Sequence, residues 1–116
     1  MPTEPFVAAA GELVLEPWPL DPGQVVTGSP HVSGVILHES PDGRIVRGVW
    51  EHTAGTSRDV EADELFVVLS GRATIAVEDG PVLDVGPGDT AVLRAGDRTV
   101  WTVHETLRKV FQTTAS

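Results

Sequence analysis

Glu64 is the residue whose setting best suits chemistry. It opens the segment Glu-Leu-Phe-Val-Val-Leu-Ser-Gly over residues 64–71. In an extended chain alternate side chains share a face, so Glu64, Phe66, Val68 and Ser70 point one way and Leu65, Val67 and Leu69 the other. Both faces are apolar after Glu64. That pattern predicts a strand inside a sandwich or barrel, with its leading carboxylate aimed at whatever is enclosed. Desolvation raises the pKa of such a carboxyl, while Arg58, Arg94 or Arg98 beside it would lower it. A raised, water-excluded carboxyl can serve as a general acid or base. The plainer alternative is a glutamate satisfied by a Thr, Trp or Arg donor.

His52 shares a face with Trp50 in the segment 44–53. At a barrel mouth one histidine can act as acid, base or ligand, or stand as a hydrogen-bonded, partly buried residue. Thr99, Trp101 and Val103 alternate onto one face of a later segment. Trp101 offers a broad surface and an indole donor to a small organic ligand, or fills the core. Lys109 falls on the face of Leu107 and Phe111, which implies partial burial beside an acid and a structural role. No phosphate loop, nucleophile elbow or dinucleotide fingerprint is present.

The elements that must position these residues are β-strands. Residues 1–30 read as an N-terminal arm and loop of the same domain. A short edge strand at 13–16 is followed by Pro17, Pro19, Pro22 and Gly23, which prevent regular structure. Trp18 in that loop reads as an aromatic plug over one end of the core. Residues 31–116 form the barrel body. Strands are predicted over 31–38, 44–53, 57–60, 64–70, 73–78, 82–85, 90–95, 98–104 and 107–113, with Gly71-Arg72 as a tight connection. Turns at Pro41-Asp42-Gly43, Asp79-Gly80-Pro81 and Gly86-Pro87-Gly88-Asp89 separate them. Strand starts about eight to twelve residues apart indicate an antiparallel sandwich or barrel.

A length of 116 residues fits one domain. The chain has no cysteine, which excludes disulfides, thiolate metal sites and a cysteine nucleophile. A net charge of −9 opposes phosphate backbones and anionic lipid, so neither nucleic acid nor membrane is an expected partner. The N-terminus lacks a basic start and an apolar export segment, and no run approaches a membrane span. Cytoplasmic localisation is the resulting expectation.

The spacing Glu64-x6-Gly71, then Gly88-Asp89-x6-Gly96, resembles the two motifs of the cupin superfamily, small jelly-roll β-barrels. Gly48-Val49-Trp50-Glu51-x-Thr53-x-Gly55, Leu69, Gly86-Pro87, Trp101 and Arg108-Lys109-x-Phe111 look more narrowly like the small single-domain cupins that include (S)-ureidoglycine aminohydrolase. The likeness covers about residues 44–113. It implies a single-domain, all-β cupin barrel, places Thr99, Trp101 and Val103 inside, and implies a homodimer formed through strand edges or a sheet face. Metal-binding cupins carry a His pair before the first-motif Glu and a further His in the second motif. Here Glu64 matches the Glu. The paired positions hold Ser57 and Asp59, or Arg58 and Val60, the last holds Thr99, and the motif proline is Arg94.

One carboxylate cannot hold Mn, Fe or Zn against water. No cofactor is therefore expected, with a divalent metal on Glu64, Asp59 and His52 as the alternative. The functional expectation is a cupin that binds a small polar organic ligand with a degenerate or absent metal site. Trp50, Arg58, Phe66, Arg94, Thr99 and Trp101 would line the ligand site. The alternative is a metal-dependent or acid/base enzyme on a small nitrogenous or carbonyl metabolite, with Glu64 and His52 catalytic.

Overall fold

The computed structural model describes residues 4–115. These form nine strands: β1 (Glu16–Pro17), β2 (Val25–Thr27), β3 (Val32–Glu39), β4 (Ile45–His52), β5 (Gly55–Val60), β6 (Asp63–Val77), β7 (Val82–Val85), β8 (Thr90–Leu93) and β9 (Arg98–Thr114). Every pairing is antiparallel. The long strands β6 and β9 lie side by side from Asp63↔Thr114 to Val77↔Thr99. On its other edge β9 takes β4 with residues 107–114 and β5 with residues 98–103. β6 likewise takes β8 near its start and β7 near its end on the edge away from β9. Because strands twist, this spine and its short partners curl into a barrel, the all-β architecture anticipated from the turn spacing.

The interior is filled by alternate residues of the two spine strands. Phe66, Val68 and Ile75 come from β6, and Trp101, Leu107 and Phe111 from β9. Trp18 caps one end, edge-on to Phe111 with ring centroids 6.5 Å apart. It lies against Gly34, where a Cβ would sit 2.1 Å from the indole ring.

Three details depart from the sequence reading. Residues 64–70 and 73–78 are one strand, as are 98–104 and 107–113. Gly71 makes no tight turn. It adopts φ +87° where the register shifts between Val68 and Ala73, so the ladder bends and continues as it does at a β-bulge. Second, β6 is not buried on both faces. Phe66 and Val68 are 0% and 1% exposed, but Leu65, Val67 and Leu69 are 49%, 38% and 37% exposed, because no second layer among the described residues covers that side. Third, residues 13–15 belong to no strand, and only Glu16 and Pro17 pair, with Gly34 and Ser33. The proline-rich loop is also more regular than its composition suggests. Pro22 starts a 3-10 turn, where its missing N–H costs nothing, and β2 then pairs with β5. No helix among the described residues is long and apolar enough to cross a membrane.

Candidate functional site

Strand register gathers the polar residues at one end of the barrel. Trp50 on β4 stands opposite Lys109 on β9, and Ser57 on β5 opposite Trp101. Directly opposed residues share a face, so all four point inward. Together with Asp59, Glu61 and Glu64 they line a cavity of about 180 Å³, whose rim includes Leu20, Gln24 and Arg58. A cavity of about 150 Å³ is enough to admit benzene.

At its floor Lys109 Nζ donates to Glu64 Oε2 at 2.7 Å, with the side chains 6% and 7% exposed. The same Nζ lies 4.3 Å from the ring centroid of Trp50, 4.5 Å from that of Phe66 and 4.7 Å from that of Trp101. Three π faces and one carboxylate thus surround the ammonium and stabilise its charge. Burial pushes the Glu64 carboxyl above its ordinary value, Lys109 draws it part of the way back, and Glu61 and Asp59 push it up again. The cation beside Glu64 is therefore Lys109 and none of the arginines named from sequence. Arg94 is exposed, Arg98 meets Glu78 at the surface, and Arg58 stands at the rim.

A second carboxylate forms the wall. Glu61 Oε2 accepts from Thr99 Oγ1 at 2.6 Å and from Trp101 Nε1 at 3.0 Å. Its backbone is fixed by the turn after β8: Glu61 N–H donates to Asp97 O, and Gly96 N–H to Glu61 O. Asp59 is exposed as a residue, yet desolvation of its carboxyl raises its pKa, with Glu61 adding to the rise.

His52 does not reach the cavity. It is 1% exposed and sits behind Ser57. Its Nδ1 lies 2.6 Å from Thr53 O, an atom that can only accept, so Nδ1 carries the proton. Nε2, 2.9 Å from Ser57 Oγ, then accepts from the hydroxyl. Burial lowers the His52 pKa, the Thr53 carbonyl opposes that, and Lys109 lowers it further. The folded pKa thus lies below the ordinary 6.5, and the unfolded chain binds the extra proton. The stability His52 contributes is complete above that value and is lost as pH falls below it toward the folded pKa. At pH 6.5 the His52 ring should show the neutral Nδ1–H tautomer in nitrogen-detected NMR spectra, and a doubly protonated ring there would contradict this geometry.

These donors do not suit a transition metal. Both His52 nitrogens are engaged, Glu64 is bound by Lys109, and no group of three or more His, Cys, Asp or Glu among the described residues could hold an ion. Of the residues named from sequence, Trp50, Arg58, Asp59, Glu64 and Trp101 line the cavity. Phe66 lies beneath Lys109 and Thr99 beside Glu61. Arg94 is outside the lining. Sequence reasoning missed Glu61 and Ser57, and placed Lys109 beside an acid without aiming it at the cavity. One signal was available: Lys109 is the only lysine in 116 residues.

A profile of the EutQ-like cupin domain matches residues 39–111, most of the barrel. The chain belongs to that family. This EutQ-like cupin resembles the EutQ protein of Clostridium difficile at 23% identity and TM-score 0.65, over 79% of this chain and 75% of that one. A Pseudomonas syringae protein of unknown function aligns at 27% identity and TM-score 0.74, over 89% of this chain and 45% of that one. Ectoine synthase from P. lautus shares the fold at 18% identity and TM-score 0.66, over 94% of this chain and 77% of that one. A search of curated proteins finds no match.

Proposed function

We propose that this cupin binds a small polar organic molecule, neutral or cationic, in the barrel cavity without a resident transition metal. The observation that carries this reading is the cavity wall. It combines the rings of Trp50 and Trp101 with the carboxylates of Asp59, Glu61 and Glu64, while the one buried ammonium is already held by Glu64. Aromatic faces with a few fixed polar groups are the usual makeup of a small-molecule site. Carboxylates that burial already pushes toward protonation would repel an anion and welcome hydroxyl or amine donors. The varied neighbours supply the barrel and leave chemistry to the site residues.

Protein purified without chelator should carry no stoichiometric transition metal by elemental analysis and should release a small neutral or cationic organic compound on denaturation. A stoichiometric metal that is lost in Glu64→Gln would overturn the proposal.

A further inference from the structure

We infer that Lys109 is a covalent anchor: its amine condenses with a small neutral aldehyde or ketone in the barrel cavity to form a protonated imine paired with Glu64. This rests on the ligand-binding reading of the cavity and names the ligand class. It is carried by the placement of Lys109, by its acid partner and by the rings around it. Lys109 is the only lysine in the sequence, it lines the cavity, and its side chain is 6% exposed. A purely structural ion pair gives little reason to keep it there, since apolar pairs commonly replace buried ion pairs at no cost in stability. Desolvated lysines are, in contrast, used as Schiff-base amines, and a carboxylate in contact can accept the proton that the ammonium must lose.

The acid partner is in place, with Glu64 Oε2 2.7 Å from Nζ and free to exchange a proton with it. Glu64 takes a proton from the ammonium, leaving a neutral amine beside a carboxylic acid. The Nζ lone pair attacks the carbonyl carbon, and a proton passes from nitrogen to oxygen to give a carbinolamine. Glu64 returns its proton to the departing hydroxyl, water leaves, and the nitrogen keeps one hydrogen and the positive charge. Glu64 ends as it began, and no oxidant or reductant is required. Burial raises the affinity of Glu64 for a proton, which suits a group that must accept and return one.

The product fits as well as the reactant. An iminium is a cation at the position of Nζ, within 4.3–4.7 Å of the three ring centroids that already face the ammonium. The π faces and the Glu64 carboxylate therefore continue to stabilise positive charge after condensation. The cavity of about 180 Å³ limits the carbonyl compound to a few heavy atoms, and the carboxylates of Asp59 and Glu61 select against keto acids.

Glycolaldehyde with sodium cyanoborohydride tests the inference, because hydride reduces the iminium to a stable secondary amine that peptide mass mapping can place. The α-amino group serves as an internal reference. The expected result is that Lys109 in the native protein is alkylated at least about tenfold faster than in protein unfolded in urea, as a carbonyl held beside the amine and its acid requires. A rate in the native protein equal to or below that of the unfolded chain overturns the anchor. Tryptophan fluorescence titrated with glycolaldehyde, without reductant, separates the two readings. Saturable binding without a Lys109 adduct leaves the ligand site standing and removes the imine, whereas neither binding nor adduct removes both. Lys109→Arg, which keeps the cation, should lose the internal adduct and retain labelling at the α-amino group. Internal labelling that survives this substitution also overturns the assignment.

Discussion

Lys109→Met is expected to destabilise the protein by about 3–5 kcal/mol, because it leaves the Glu64 carboxylate buried without its counter-ion. Marginally stable domains hold only about 5–15 kcal/mol in total, so this one truncation removes a large share. Glu64→Leu should cost a comparable amount for the mirror-image reason, stranding the ammonium among three rings. The double variant Lys109→Met/Glu64→Leu should recover most of the loss, since two apolar side chains need no counter-ion in that interior. Urea denaturation at neutral pH measures all three. Additive losses in the double variant would show that the 2.7 Å contact does not couple the two charges.

Gly71→Ala is the second large effect. A Cβ there would lie 2.0 Å from Thr106 O, 2.6 Å from Thr106 C and 2.8 Å from Glu105 O, all backbone atoms of β9. Relief requires moving one spine strand away from the other. The positive φ adds its own penalty for an L-residue, and together they should cost about 3 kcal/mol or more. Gly88→Ala is the control. Gly88 has a similar φ, +86°, but nothing lies within 4 Å of its added Cβ, so only the conformational part, about 1–2 kcal/mol, should appear. If the two substitutions cost the same, the close approach at Gly71 has no energetic weight.

The barrel was legible because its signals are local. Turn residues such as Asp79, which sits at φ 59°, and Gly43, at φ +73°, mark the hairpins where the sequence places them. Gly71 misled for an equally local reason: a glycine with positive φ looks the same in a turn and in a bulge, and only the strand across from it distinguishes the two. Leu65, Val67 and Leu69 were legible as one apolar outer face of their strand, suited to a partner sheet. Alternation states which residues share a face and is silent on whether another layer covers it.

The site was half legible. Glu64, Trp50 and Trp101 could be assigned to the interior from alternation and from the cupin likeness. Glu61 could not, because it lies between strands, where period has no meaning, and only the turn at Gly96-Asp97 fixes it. His52 was correctly placed on the inner face but not in the cavity, because the intervening Ser57 comes from a strand whose register no single segment reveals.

The antiparallel spine has a kinetic consequence. β4, β5 and β6 all depend on β9, and pairs such as Ile45 with Thr114 and Glu64 with Thr113 join residues distant in sequence. β3 and β4 can zip through their own turn, but neither the cavity nor the ammonium cage exists before β9 docks. Loop closure over such separations costs entropy before contacts repay it, which places the chain among slow, millisecond-to-second folders. During synthesis the upstream hairpins must wait, with their apolar faces open, for a strand at the far end of the sequence to bring them together.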